Sequence, residues 1–329
     1  MDGKGIDGKG EGGQDEEISL DRVIQAEAVI DPVFTGTPSL RFPSLDDALH
    51  AAVTLKVETL NPIRSFKGRG ASYYMHQHPA AHPLVVATAG NFGQGLAYAA
   101  RQSGTPLTVF AATNANPLKI ERMRALGAEV RLQGDDFDSA KAAAQALADD
   151  TGAHMVVDGK DAAISEGAGT IGLELLREAP APDTLIIPLG NGAMLNGIAT
   201  VIRAQAPSTQ IIAVCAAGAP AMERSWRSGS VIETDHVETI ADGIAVRVPV
   251  PEALHAMRPR VDDVVLVDDE AILHAMRLLL AHTGLLSEPA GAVGVAALLA
   301  DPNRFAGQSV ATILCGSNVT DEQFTAWYV

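Results

Sequence analysis

The sequence has few of the residues that indicate a disulfide scaffold, a zinc site or a nucleic-acid-binding surface. Its only cysteines, Cys215 and Cys315, are too few for a disulfide framework and have no neighbours at zinc-ligand spacing. Aromatic residues make up 4% of the chain and the formal net charge is −16, which argues against base stacking and against a basic nucleic-acid-binding face. We therefore expect two free thiols and no nucleic-acid partner.

Long apolar runs are missing too. None approaches the roughly 20 residues that span a bilayer, and the N-terminus lacks the basic-then-apolar layout of a signal peptide. We expect a cytoplasmic protein without membrane contact. Residues 1–17 repeat Asp-Gly-Lys-Gly and then become acidic, which predicts a flexible tail. The remainder of the 329-residue chain, which is 47% hydrophobic overall, is long enough for two lobes.

What the sequence does have is a regular alternation of strand and helix patterns. Predicted strands at 84–88, 106–111, 128–132 and 154–157 are separated by predicted helices at 93–103, 117–126 and 137–150. The alternation resumes at 185–189 and continues to 310–314. Because βαβ repetition produces parallel sheets covered by helices, we predict an α/β fold of two doubly wound lobes with mostly parallel sheets. Ligands are expected at the carboxyl ends of the strands.

One lysine follows the first apolar run. A predicted strand at 51–57 is broken by Asn61-Pro62, and Gly68 allows close backbone packing where a helix restarts after Lys67. A lysine amine that loses solvent at such a junction also loses part of its preference for the charged form, as attack on a carbonyl requires. The alternative is a solvated surface lysine.

Three further segments place polar groups at predicted strand ends. Residues 88–95 form a glycine-rich loop that opens a helix, where first-turn N–H groups suit a carboxylate. Residues 188–197 repeat that layout and suit one phosphate, because Leu195 stands where a dinucleotide fingerprint requires glycine. Cys315 follows a buried strand. The alternatives are an ordinary helix cap for residues 88–95, a tight turn for residues 188–197 and a structural thiol for Cys315.

Taken together, these segments resemble the fold-type II pyridoxal-phosphate enzymes, and most closely the threonine/serine dehydratase and serine racemase group. The resemblance extends over residues ~20–329. It rests on the lysine motif Ser65–Ala71, the asparagine loop Ala89–Gln94 and the phosphate loop Gly190–Met194. Three more segments match the family in the same order: Ala241–Val246, Ser287–Ala292 and Leu314–Asn318.

The resemblance implies a role for each site residue. Lys67 would carry pyridoxal 5'-phosphate covalently, beside Phe66, and would transfer protons, while Asn91 would bind the ring oxygen and Cys315 would face the pyridine nitrogen. The phosphate would be held by Gly190, Asn191, Gly192, Ala193 and Met194. The predicted substrate-binding residues are Ser65, Thr88, Ala89, Gly90, Asn91, Gly243 and Glu288. The resemblance further implies a large domain of 18–72 and 158–329, a small domain of 73–157, and a homo-oligomer, expected to be a dimer.

The chain departs from the family pattern at several positions. Phe92 replaces the usual histidine, and Asn191 and Met194 make the phosphate loop less rich in glycine. Where some members bind a divalent cation, residues 217–223 offer one carboxylate, Glu223. Because hard cations need several oxygen ligands, we predict no metal site there.

The function implied is that of an ammonia-lyase, which removes water and ammonia from an L-threonine-like or L-serine-like hydroxy amino acid to give a 2-oxo acid. The alternatives are a β-replacement enzyme of the cysteine-synthase type, an amino-acid racemase, and an inert ligand-binding protein on the same fold. Racemisation needs a proton donor on each face of the substrate Cα. Where the racemases of the group have a serine, this chain has Ala89, so little racemase activity is expected unless Thr88 substitutes.

Overall fold

The computed structural model describes residues 17–78, 82–88, 90–135 and 137–329. All but the last residue of the predicted tail, and also Ala89, lie outside these ranges. Among the helices in the described ranges, none has both the length and the apolar character needed to cross a membrane.

Strands in the described residues are labelled β1 to β10 in chain order. Their bounds are Ser39–Arg41, Ala52–Val57, Leu84–Ala87, Leu107–Ala111, Glu129–Leu132, His154–Val156, Thr184–Pro188, Gln210–Ala216, Asp263–Val267 and Ser309–Leu314.

Helices are labelled α1 to α14 in the same way. Their bounds are Leu20–Val29, Pro43–Leu49, Lys67–Gln77, Asn91–Ser103, Pro117–Ala125, Phe137–Thr151, Ala162–Glu178, Ala193–Gln205, Ala221–Ser228, Pro251–Met257, Asp269–Thr283, Pro289–Ala300, Pro302–Phe305 and Asp321–Tyr328. Short 3₁₀ turns occupy Pro32–Phe34 and Asp242–Ile244.

The strands form two sheets. The larger sheet has the order β1-β2-β10-β7-β8-β9 and the smaller has the order β5-β4-β3-β6. All neighbouring strands are parallel except β1 and β2. In the larger sheet Val310 pairs with Val53 on one side and with Thr184 on the other. These sheets confirm the predicted α/β fold with mostly parallel strands.

The observed elements differ from the sequence prediction mainly at their ends. Helix α4 begins at Asn91, two residues before the predicted start. Ser39–Arg41 form the edge strand β1, which the sequence prediction does not include, because their backbone pairs with β2. Edge strands are short and carry little periodic signal, so sequence patterns detect them poorly.

The core follows the parallel strands. Leu185, Ile186 and Ile187 in β7 are fully buried, as are Ile211 and Ile212 in β8. Such continuous apolar runs are typical of strands that are covered on both faces. Strands β2, β7 and β10 are neighbours and parallel, so their carboxyl ends lie at one edge of the sheet, and that edge carries the loops described next.

Candidate active site

Lys67 is the first residue of α3, after the loop that leaves β2. Its side chain is only 14% exposed, and Nζ lies 2.6 Å from Oδ2 of Asp158. Two phenyl rings flank the amine, with centroids at 4.8 Å for Phe66 and 5.3 Å for Phe92. The junction predicted from sequence therefore holds a largely desolvated lysine, which the structure shows as an ion pair.

The asparagine loop connects β3 to α4. Asn91 Nδ2 donates to Oε1 of Glu288 at 2.6 Å, and Asn91 Oδ1 accepts a hydrogen bond from Asn318 Nδ2 at 2.9 Å. The Thr88 hydroxyl accepts the N–H of Gly90 at 3.0 Å, which holds the loop in a tight turn. Asn91 is thus held in position by side chains from two other segments.

Glu288 is buried at the start of α12. Its second oxygen, Oε2, accepts the Asn318 N–H at 2.9 Å. Burial raises the pKa of Glu288, and the positive charge of Lys119 together with these hydrogen bonds offsets part of that effect. The Glu288 carboxyl group therefore lies beside the asparagine loop, and its substrate-binding role stays a prediction.

Lys119 on α5 lies over the same loop. Its Nζ pairs with Oδ2 of Asp242 at 2.7 Å, and its chain fills the space beside Gly90, where an added Cβ would lie 2.1 Å from Lys119 Cδ. Burial would lower the pKa of Lys119, but the charges of Glu288 and Asp242 outweigh it and raise that pKa. A fixed positive charge therefore lies next to the predicted carboxylate-binding loop.

The phosphate loop runs from the end of β7 into α8. Gly192 has φ of 91°, a left-handed conformation that favours glycine. The first hydrogen bond of α8 runs from Asn196 N–H to the Gly192 carbonyl at 2.8 Å, so the preceding amides of residues 193–195 remain as first-turn donors. Residues 190–194 contain no acidic side chain. This donor set suits a phosphate at a helix N-terminus.

Cys315 directly follows β10 and is a buried free thiol. Its carbonyl accepts the Phe66 N–H at 3.1 Å, which ties it to the lysine loop. Burial raises the pKa of Cys315, and the charge of Glu288 raises it further. The thiol is therefore uncharged at neutral pH.

These loops enclose the lysine. Beyond Cys315, a Cβ at Gly316 would lie 3.0 Å from Asn91 Nδ2, so the β10 loop touches the asparagine loop. A Cβ at Gly243 would lie 3.5 Å from Oε1 of Glu288, and one at Gly190 would lie 3.0 Å from the Gly243 carbonyl oxygen. The contacts thus pass from the asparagine loop to the phosphate loop.

The circle closes through residues 158–159. Gly159 has φ of 88°, and a Cβ there would lie 2.3 Å from the Asn191 carbonyl oxygen, while its neighbour Asp158 pairs with Lys67. A lysine amine, a glycine-rich loop with first-turn amides, an amide donor and a neutral thiol therefore belong to one continuous ring of contacts. These residues fit pyridoxal 5'-phosphate, whose aldehyde, phosphate, ring oxygen and ring nitrogen would meet them in that order.

Two further predicted substrate-binding residues are Ser65 and Ala89. The Ser65 hydroxyl is buried and has no hydrogen-bond partner among the described residues, which leaves it available to a ligand. Ala89 lies outside the described residues. No group of three or more potential metal ligands occurs within the ranges that the structure describes. The absence of a metal site stays a prediction.

Sequence reasoning missed four residues of this site: Asp158, Asn318, Lys119 and Asp242. Asp158 lies two residues beyond the end of β6, which is the position where α/β proteins place ligand-binding groups. Asn318 and Asp242 lie inside segments that match the family. Only Lys119, within a helix, had no local signal.

Comparisons with known proteins identify the family of this chain. Residues 30–316 match the family model described as pyridoxal-phosphate dependent enzyme. The L-threonine ammonia-lyase of Geobacter sulfurreducens is 40% identical over 83% of this chain and 69% of its own length. The L-threonine ammonia-lyase of Thermotoga maritima is 33% identical over 92% of this chain and 76% of its own length.

Solved structures agree as well. The threonine deaminase of T.th. superposes with a TM-score of 0.87 at 33% identity, covering 92% of this chain and 99% of that one. Maize serine racemase also superposes with a TM-score of 0.87, at 28% identity, and the match covers 95% of this chain and 96% of that one. The predicted fold-type II family, its cofactor pyridoxal 5'-phosphate and its lyase class are confirmed. The chain belongs to the family of pyridoxal-phosphate dependent enzymes.

Proposed function

We propose that this protein is an ammonia-lyase that converts L-threonine or L-serine to a 2-oxo acid and ammonia. The observation that carries the proposal is the closed circle of loops around Lys67, in a chain whose relatives include L-threonine ammonia-lyases. The substrate is thus a hydroxy amino acid with its leaving group on Cβ.

The bound cofactor supplies a reactive carbonyl and a conjugated ring that stabilises negative charge at the substrate Cα. The protein supplies orientation and proton transfer. Thr88, Gly90 and the first amides of α4 bind the substrate carboxylate, and Lys119 adds a positive charge beside them. Glu288 and Asn318 hold Asn91 in place.

Lys67 acts at the reacting atoms. Its neutral amine takes the proton from Cα, the electron pair of that bond forms the Cα–Cβ double bond, and the Cβ–O bond breaks. The hydroxyl oxygen takes a proton and leaves as water. Hydrolysis of the resulting enamine product then gives the 2-oxo acid and ammonia.

An amino-acid panel tests the proposal. Wild-type protein loaded with pyridoxal 5'-phosphate is incubated with each amino acid, and 2-oxo acid and ammonia are measured. Equal amounts of both products from L-threonine or L-serine are expected. A loaded protein that releases neither from any member of the panel would favour an inert binding protein. Cysteine made from O-acetylserine and sulfide, without 2-oxo acid from the hydroxy amino acids, would instead establish β-replacement.

Cys315→Asp is expected to slow elimination by roughly 10-fold and to produce a new long-wavelength absorbance band. The buried thiol is uncharged and could not stabilise a positive charge on the ring nitrogen that it would face, whereas a carboxylate could. Charge would then spread further into the ring, and expulsion of the leaving group would become slower. Stopped-flow spectra with L-serine measure both effects. Cys215→Asp is unsuitable as a control, because Cys215 is wholly buried in β8; Cys315→Ser serves instead and should add no band.

Ala89→Ser is expected to raise the ratio of racemisation to elimination, because the new hydroxyl could return a proton to the face of Cα that Lys67 does not serve. Chiral chromatography of L-serine incubations, run beside a 2-oxo acid assay, measures the ratio in wild type and variant. Rapid D-serine formation by wild type would contradict the proposed lyase and favour a racemase, which several structural neighbours are.

We also propose the division into a large domain of 18–72 and 158–329 and a small domain of 73–157, which agrees with the two sheets. A homodimer is proposed for the assembly. Sedimentation velocity of the loaded protein tests it, and a monomer at all concentrations would reject it.

A further inference from the structure

The strongest contact of Lys67 is one that the sequence motifs do not include. Its amine lies 2.6 Å from Asp158, a residue 91 positions further along the chain. Within the described residues, no other carboxylate lies within ion-pair distance of this amine. The contact therefore joins the lysine loop of one sheet to the loop that leaves the other.

Among the described residues, only one carboxylate oxygen of Asp158, Oδ2, accepts a hydrogen bond from another side chain. Oδ1 is buried and has no hydrogen-bond partner among the described residues. Asp161, three residues later, shows how a structural carboxylate in this loop behaves, because its Oδ2 accepts the Val157 N–H at 2.8 Å. An ammonium group has three donors, so Oδ1 can accept a second N–H when the lysine side chain moves. Asp158 can therefore remain hydrogen-bonded to the Lys67 amine when the lysine side chain moves.

The backbone fixes where Asp158 lies. Gly159 is in the left-handed conformation and packs directly on the Asn191 carbonyl, with no room for a Cβ. Asn191 belongs to the phosphate loop. The Asp158 carboxylate therefore keeps a constant position relative to the loop that would bind the cofactor phosphate. The Lys67 amine can return to that same position whenever it is free.

We propose that Asp158 is a positioning residue that binds the Lys67 amine whenever that amine is free, and so holds the proton that Lys67 takes from the substrate Cα. The lysine is free before the cofactor attaches and again after the substrate has displaced it. This role rests on the proposed function. In each turnover the Cα–H bond breaks, the proton joins Nζ, and Asp158 stabilises the resulting ammonium until the proton is given up.

Other charges near the amine are few. Cys315 is close enough to interact with Lys67, and it is uncharged. Glu288, Lys119 and Asp242 interact with one another beside the asparagine loop. Glu58 is paired with Arg69. Asp161 interacts with His78, His154 and Lys160 on the other side of its loop. Asp158 is therefore the group whose removal should change the protonation of Lys67.

The first test uses cofactor-free protein. Acetic anhydride modifies only uncharged amines, and mass spectrometry of the peptides follows Lys67, with the half-buried Lys141 on α6 as internal reference. In Asp158→Asn the pH of half-maximal Lys67 acetylation is expected to fall by about one unit or more, because an ammonium loses its counter-charge. Asp158→Glu keeps the charge and should stay nearer to wild type. Asp161→Asn removes a carboxylate from the same loop and should leave the profile unchanged.

The second test uses loaded enzyme and L-alanine, which has no leaving group. Exchange of its Cα proton in D₂O, followed by NMR, isolates proton transfer by Lys67. Asp158→Asn is expected to lower the exchange rate by roughly 10- to 100-fold, with KM changed less than threefold. The substitution preserves size, and circular dichroism of both forms checks folding.

The outcomes separate the inference from the proposed function. An unchanged acetylation profile in Asp158→Asn, or an unchanged exchange rate, would overturn the positioning role. Failure of wild type to release a 2-oxo acid from any amino acid would reject the proposed function, while the acetylation profile would still report whether Asp158 controls the free lysine.

Discussion

Lys67→Ala is expected to abolish the visible absorbance of the lysine-linked cofactor and to lower kcat/KM by at least about 10³-fold. Both effects have one cause, because in the proposed mechanism the same amine attaches the cofactor and moves the substrate proton. The amine lies between two phenyl rings and Asp158, and the described residues place no second lysine near that position except Lys119, which is paired with Asp242. Nothing in the site can therefore replace it.

The measurement combines absorbance spectra of the dialysed protein with the 2-oxo acid assay. The matched control is Lys160→Ala, which removes a lysine from the loop beside Asp158 whose side chain is 55% exposed and only loosely paired with Glu252 at 3.7 Å. That variant should keep the colour and the turnover. Circular dichroism checks that cofactor-free Lys67→Ala folds, since the substitution leaves the largely buried Asp158 without its ion-pair partner. A coloured Lys67→Ala protein with wild-type turnover would reject the role of Lys67.

Most of the fold and the centre of the site could be predicted from the sequence, for a local physical reason. Strand–loop–helix units leave apolar runs followed by glycine. Asn91, the 190–194 loop and Cys315 lie close behind such a run, and Lys67 begins the helix that follows β2. Parallel pairing brings the ends of β2, β7 and β10 to one edge of the sheet. Residues adjacent to strand ends were therefore predictable as neighbours.

Contacts between distant side chains were not predictable in the same way. Asp158 and Lys67 come from loops of different sheets, and Lys119 reaches the asparagine loop from the middle of a helix. Neither contact leaves a periodic signal in the sequence. Charges buried inside elements were missed for a different reason. Lys56 lies in the apolar strand β2 and Arg69 in the glycine-rich start of α3, where composition predicts an uncharged interior.

Arg69 is the centre of a buried charge network beneath Lys67. Its guanidinium is fully buried and donates to both carboxylate oxygens of Glu58 and of Glu174, and also to the hydroxyls of Thr37 and Thr170. Lys56 adds a second positive charge, 2.8 Å from Glu174. These side chains join β2, α3 and α7, so the network fixes the helix that begins with Lys67.

The protonation of Glu174 shows how strongly the network favours the charged form. Burial alone would raise the pKa of Glu174, but hydrogen bonds and charge from Arg69, and then from Lys56, outweigh it and lower the pKa to about 2. A carboxyl group whose folded pKa is depressed stabilises the fold above its ordinary pKa of 4.5 and loses that contribution as the pH falls towards about 2. Part of the acid sensitivity of this protein should therefore arise in this pH window.

Arg69→Met is expected to destabilise the cofactor-free protein by roughly 3–5 kcal/mol, because it keeps most of the volume but leaves two buried carboxylates without their main partner. Urea unfolding at pH 7 measures the change. Arg41→Met is the matched control, since Arg41 pairs with Asp46 at 2.7 Å with 56% of its side chain exposed, and an exposed pair of this kind contributes at most about 1 kcal/mol. In Arg69→Met the loss of stability between pH 4.5 and about 2 should also be smaller than in wild type, because Glu174 no longer has a strongly depressed pKa. If Arg69→Met unfolded within 1 kcal/mol of Arg41→Met and kept the wild-type acid profile, the network would not stabilise the fold.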